Sequence, residues 1–281
     1  MDNEKKPIGM RASDEPAKCK FCGALRRHIT IALGDNEPIV LPLLEPCTCP
    51  DGRAAYEREQ REAEECRAAE ERENRRKMLR QVKSASGIPL RYQNADLNTL
   101  RDDDNNREII QTVYDYAANF KQMIPSEENP APTKNGFYIC GTVGTGKTYL
   151  AAAIANRVLE MGFQVKFTTM IDLQSRLIGA MNSGGMNRLL DDYEKVPLLV
   201  IDDFGKESLK EWGATQIFAI LNARYGNCLP TIITTNFSNV DLAARLTPRD
   251  SSDSTNAQSI TDRIREMCVP IVLTGKSRRG K

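Results

Sequence analysis

In 281 residues the sequence has one histidine, His28, and one tryptophan, Trp212. It also has no excess of either charge, with 39 Lys and Arg against 38 Asp and Glu. Near-neutrality neither demands nor excludes nucleic acid, so local clusters must carry any such argument. No apolar run approaches the roughly 20 residues of a membrane span. The opening Met1-Asp2-Asn3-Glu4-Lys5-Lys6 lacks the apolar core of a secretion signal. These absences predict a cytoplasmic protein with no membrane partner. Glycine and proline are missing from Arg53 to Lys83, which leaves nothing there to break a helix.

The most informative stretch is Gly141-Thr142-Val143-Gly144-Thr145-Gly146-Lys147-Thr148. It follows the apolar run Phe137-Tyr138-Ile139-Cys140 and precedes an alanine-rich helical run from Tyr149. Strand, glycine loop and helix form the context that a phosphate-binding loop requires. Its glycines let successive backbone N–H groups turn inward around a phosphate. Lys147 then reaches the β- and γ-phosphates, and the Thr148 hydroxyl is offered to magnesium.

Two close cysteine pairs, Cys19/Cys22 and Cys47/Cys49, suit a tetrahedral structural zinc site. Between them, 29–33 and 39–41 read as β-like runs around Gly34-Asp35-Asn36, hence a zinc-bound hairpin. So small a segment could hardly fold without metal. His28 reads as a surface residue, and acid–base groups that catalytic zinc would need are not evident. The expected organisation is a zinc module over 1–52, a charged helical connector over 53–83 and an ATPase domain over 84–281. Glu and Arg recur three and four apart in the connector, which supports a solvated helix roughly 45 Å long. Such a helix serves as a spacer or as a partner-binding arm. Cys66, inside it, is not expected to be a ligand.

Alternating strand and helix patterns after the loop imply an α/β fold with a parallel sheet. The apolar run 197–201 ends in Asp202 and Asp203. Asp202 can hold magnesium and Asp203 can orient and deprotonate an attacking water. The run 231–235 ends in Asn236, placed to bridge that water and the γ-phosphate. A helix opens near Ser259 and carries Arg263, and Arg278 and Arg279 lie near the C-terminus. One late arginine acting in trans, and another in cis, would complete such a site.

With these residues in view, the chain resembles bacterial replicative helicase loaders of the DnaC and DnaI type, within the AAA+ ATPases; IstB-type transposition ATPases look similar. The likeness covers roughly residues 70–281. It runs through Glu71-Arg72-Glu73-Asn74-Arg75, residues 86–94, the phosphate loop, Leu198 to Gly205 and Asp262-Arg263-Ile264-Arg265. The resemblance implies that Lys147 and Thr148 are Walker A residues, Asp202 and Asp203 Walker B, and Asn236 sensor I. Arg263 would be the arginine finger, and Arg279, or else Arg278, sensor II. It further implies ATP, Mg2+, a hexameric replicative helicase, single-stranded DNA and an ATP-dependent homo-oligomer as cofactors and partners. Asp203 stands where most AAA+ enzymes have Glu, which suggests slow turnover. The sequence leaves no room after the last arginines for a helical lid, a trait of short loaders. An IstB-like transposition regulator and an adaptor that holds ATP without useful hydrolysis are the competing readings.

Overall fold

The computed structural model describes residues 17–31, 39–100, 106–206, 210–247, 254–275 and 277. The chain divides into two compact units, Met1–Arg76 and Lys77–Lys281. Asp102-Asp103-Asp104, whose side chains could cap a following helix, and the 34–36 turn lie outside the described residues.

In the first unit, strands β1 (His28–Ile31) and β2 (Ile39–Leu44) pair antiparallel. Arg26 fastens the pair, its Nε–H donating to the Glu45 carbonyl at 2.9 Å and Nη2 to that of Leu44 at 3.3 Å. Helix α1 runs Pro50–Ala85, and the boundary between the units falls inside it. Pro50 and Asp51 suit its first turn, where amide N–H groups lack partners and the helix end is positive. It stops where Gly87 takes φ +82° and Pro89 follows.

The second unit opens with α2 (Arg107–Ala118) and α3 (Phe120–Met123), then β3 (Gly136–Gly141), α4 (Lys147–Glu160) and β4 (Val165–Thr169). Next come α5 (Met170–Ser183), α6 (Met186–Glu194) and β5 (Leu198–Asp202). Then α7 (Glu211–Gly226), β6 (Thr231–Thr235), α8 (Asn239–Leu246), α9 (Thr255–Met267) and β7 (Cys268–Leu273) complete it. The sheet order is β4-β5-β6-β3-β7, with every pairing parallel. Helices cover both faces, so β5 and β6 are buried along their whole length. That is why they read as unbroken apolar runs rather than as alternation. Each fully buried Val, Ile or Leu contributes about 1.5–3 kcal/mol relative to exposure.

Helices α6, α7 and α8 and strand β7 go beyond the sequence expectation. Strand β7 contains Pro270, which weakens a strand signal but is tolerated at a sheet edge, where β7 lies. The opposite edge, β4, is met by the chain after α1: the Phe167 N–H donates to the Ser86 carbonyl at 2.7 Å. At Gly87 a Cβ would stand 2.3 Å from the Phe167 carbonyl oxygen. Among the most buried groups is Arg224, fully inaccessible. Its guanidinium donates to the carbonyls of Tyr193, Glu194, Val196 and Pro230 and to the Thr231 hydroxyl. It thereby ties the end of α6 to the start of β6. Burial pulls its pKa down to about 9.

Candidate functional site

Strand β6 lies between β3 and β5, and this order assembles the site. Whatever leaves the C-terminal ends of these strands must converge on one crevice, the usual ligand position in open α/β sheets. The phosphate loop follows β3, Asp202 ends β5 with Asp203 next after it, and Asn236 follows β6. Val143 to Leu150, Asp203 and Asn236 line one cavity of about 690 Å³. That volume is in the range of small-molecule sites and can hold a nucleoside triphosphate. Its lining also takes in Tyr92, Leu100, Ile109 and Ile110, beside Arg91, Thr99 and Asn106, and the apolar members suit a base.

The loop's glycines do distinct things. Gly144 and Gly146 have φ of 87° and 100°, the left-handed region that residues with a Cβ avoid. Gly146 is the residue before α4, so the free N–H groups of a 14-residue helix open onto the cavity. Thr145 closes the loop, its hydroxyl donating to the Thr142 carbonyl at 2.9 Å. Lys147 is buried, and its ammonium donates to the carbonyls of Gly141 and Thr142, each at 2.9 Å. These bonds hold it beside the cradle, where an anion would sit.

Thr148 and Asp202 meet directly. The Thr148 hydroxyl donates to Asp202 Oδ1 at 2.9 Å, and Thr234 also donates to Oδ1. Burial pushes the Asp202 carboxyl above the usual carboxylate range, against the pull of the Thr234 and Thr148 hydroxyls. A divalent cation between Thr148 and Asp202 would relieve that burial of charge, so the pair fits magnesium. Asp203 has φ +56°, a conformation that Asp tolerates better than most residues. Its N–H donates to the Thr234 hydroxyl at 3.1 Å, and its Oδ2 lies 3.3 Å from Lys206 Nζ. Asn236 is exposed on the cavity wall.

Residues not singled out from sequence complete the frame. Thr234 supports both acids at once. Tyr149 Oη lies 2.5 Å from the Thr99 hydroxyl and accepts the Asp96 N–H at 3.3 Å, holding this part of the chain against the first turn of α4. Lys206 lines the cavity beside Asp203. The tail after β7 comes back to the loop: a Cβ on Gly144 would stand 2.2 Å from Ser277 Oγ. Arg278 and Arg279 lie outside the described residues. Arg263 is on α9 and does not line the cavity. Trp212 packs, partly buried, against the core beneath α7.

In the first unit, the sulfurs of Cys19, Cys22, Cys47 and Cys49 all lie within 4.8 Å of one another. The Cys19–Cys49 and Cys22–Cys47 separations are 3.8 and 3.4 Å. Four thiolates around a zinc at about 2.3 Å would be separated by about 3.8 Å, so the cluster fits that ion. The amides of Cys22 and Phe21 hold the Cys19 thiol down at about 6. For Cys49 the Gly52 N–H favours the thiolate, but burial and the other thiols outweigh it and push the pKa up. Close thiolates need a cation to share. Gly52, unremarked in the sequence, is buried under the cluster; a Cβ there would stand 2.8 Å from Cys49 Sγ and 3.3 Å from Cys19 Sγ. His28 is half-buried rather than a surface residue, lies outside the cluster, and its Nδ1 lacks a partner.

Comparison with known proteins gives a consistent result. The profile of the family described as "IstB-like ATP binding protein" matches residues 131–281. The replicative helicase loader DnaI of Bacillus subtilis is 29% identical over 147 residues, 51% of this chain and 47% of that protein. The match thus spans about half the length of that relative. The replicative helicase loader DnaC of Escherichia coli K12 is 31% identical over 182 residues, covering 64% of this chain and 70% of DnaC. A crystal structure of DnaI superimposes with a TM-score of 0.56 at 31% identity, over 69% of this chain and 95% of that one. Aquifex aeolicus DnaA, at 22% identity and a TM-score of 0.53, over 68% of this chain and 54% of that one, shares the AAA+ fold. The chain belongs to the IstB-like ATP-binding family of AAA+ proteins and is of the DnaC and DnaI replicative helicase loader type.

Proposed function

We propose that this chain is an ATP-dependent loader that places a hexameric replicative helicase on single-stranded DNA at the start of replication. The observation that carries this reading is the similarity to DnaC over 70% of that loader's length. An IstB-like transposition regulator is the alternative that the family description supports. The relatives named as loaders, together with the N-terminal thiol cluster, favour the first reading.

In this reading the loop from Gly141 to Thr148 takes the triphosphate, Lys147 contacting the β- and γ-phosphates. Thr148 and Asp202 hold magnesium, which when bound supplies charge neutralisation of the phosphate oxygens. Asp203 takes the proton of the attacking water, and Asn236 orients that water against the γ-phosphate. Arg263 reaches the nucleotide of a neighbouring subunit, and Arg279, or else Arg278, acts in cis. Hydrolysis is then slow, because the Asp203 carboxylate is one methylene shorter than that of Glu, and depends on assembly into a homo-oligomer, because the trans arginine comes from a neighbour. Cys19, Cys22, Cys47 and Cys49 hold a structural zinc in a module over 1–52. A connector over 53–83 joins it to the ATPase domain over 84–281. The setting is the cytoplasm; no helix among the described residues is long and apolar enough to cross a membrane.

Co-purification with the replicative helicase of the same cell, with ATP and without nucleotide, tests the reading. A stable complex whose lifetime changes with nucleotide supports it. Absence of any complex with that helicase, alongside nucleotide-dependent binding to a transposase, would replace it with the alternative.

A further inference from the structure

Arg263 lies outside the cavity, yet this chain holds it in place at three points. Its Nε–H donates to Asn222 Oδ1 at 3.1 Å, and its guanidinium lies 4.3 Å from the centre of the Tyr225 ring. Its Nη1 is 4.0 Å from Glu266 Oε2. Glu266 also acts on the Tyr225 hydroxyl, raising its pKa. Asn222 and Tyr225 sit three residues apart on α7, so they share one face of that helix. Arg263 and Glu266 have the same spacing on α9. The two helices are locked together beneath them by Ile217, Ile220, Leu221, Ile260 and Ile264, each buried.

We propose that Asn222 and Tyr225 are positioning residues that prealign Arg263 for the nucleotide of a neighbouring subunit. This inference rests on the trans-arginine reading above. A long, unrestrained arginine loses much rotamer freedom when it engages a phosphate, and a guanidinium fixed beforehand loses less. Asn222 takes the Nε–H, Tyr225 one face of the guanidinium, and Glu266 only a 4.0 Å contact with Nη1. That long contact is the one a phosphate, which engages a guanidinium through paired N–H groups, has to replace. Glu266 supplies a weak counter-charge that a phosphate, with greater charge, displaces. An ordinary surface arginine is served by an ion pair alone; a ring beneath it and an amide at its Nε fix direction as well.

The experiment measures steady-state ATP hydrolysis by full-length chain under assembling conditions, with ATP binding measured separately. Arg263→Ala should lower kcat by about 10³-fold or more. Tyr225→Leu and Asn222→Ala should each lower kcat about three- to tenfold with ATP affinity within twofold, and together about ten- to a hundredfold. Tyr225→Phe, which keeps the ring face, should stay within about twofold of the parent. Adding an Asp203→Asn chain, which keeps the phosphate loop for ATP-dependent assembly, lacks the water-activating carboxylate and carries an intact Arg263 platform, should restore hydrolysis by the Tyr225→Leu chain. A merely misfolded or cis-defective subunit would gain nothing from that mixture. Full activity of Tyr225→Leu beside a slow Arg263→Ala removes the platform and leaves the trans arginine standing. Full activity of Arg263→Ala removes both. If Tyr225→Leu does not fold, Asn222→Ala in the same mixture gives the same readout, and no recovery there overturns the proposal.

Discussion

The two units are built on opposite physical terms. Of the residues in the first unit whose exposure is described, Cys19 and Gly52 are buried, and both belong to the thiol cluster. The second unit buries two apolar clusters, one on each face of its sheet, including Ile139, Ile154, Leu198 and Ile201. Among the described residues of that unit the buried ones surround four sulfurs, which accords with the proposed zinc as a stabiliser of this module. A sheet with helices on both faces needs no such ion. The contrast predicts that damage in one unit leaves the other's chemistry intact.

The largest expected effect is removal of zinc. Chelation from the full-length chain should release about one zinc, forfeit on the order of 10 kcal/mol of binding energy and open the β1–β2 hairpin to proteolysis. ATP affinity should stay within about twofold. Zinc release should become easier as pH falls, because protons compete for the thiolates. Less than about one zinc per parent chain, with all four thiols freely reactive, would undo this half of the comparison.

Arg224→Ala is the counterpart in the second unit. It leaves four carbonyls and a hydroxyl without their donor and opens a void, for a loss of about 3–5 kcal/mol in denaturant unfolding of that unit. Zinc content should not change. Lys147→Ala should weaken ATP binding by roughly 2–3 kcal/mol, about a hundredfold, with both units folded. Gly87→Ala comes last, at about 1–3 kcal/mol, since it forces a left-handed residue against the Phe167 carbonyl. If Gly87→Ala were neutral in a thermal melt, the chain after α1 would not be fixed against β4.

How much of this was legible follows from where the information sits. The phosphate loop is contiguous, and its spacing alone gave strand, turn and helix around Gly141 to Thr148. Asp202 and Asn236 were readable because buried parallel strands are apolar runs, and a polar residue closing such a run marks a crevice. The clustering of the four cysteines was readable because two close pairs are brought together by a short hairpin. Thr234 was not: a threonine within a β-branched strand looks like filler until β5 is its neighbour. Lys206, Tyr149 and Gly52 likewise gain meaning only from chain segments that folding brings to them. Helix α7 escaped because it is the partner of other helices as well as of the sheet, so its apolar residues spread around the axis instead of forming a stripe. The Arg263 platform lies 38 and 41 residues away from that arginine in sequence, at Tyr225 and Asn222.

Dependence of loading on ATP held at Lys147 is tested by helicase unwinding on a closed single-stranded DNA circle annealed to a short strand. The replicative helicase of the same cell should displace that strand only when this chain and ATP are both present, and the Lys147→Ala chain should leave it annealed. Equal displacement with the parent chain, with the Lys147→Ala chain and with no added chain would contradict the account.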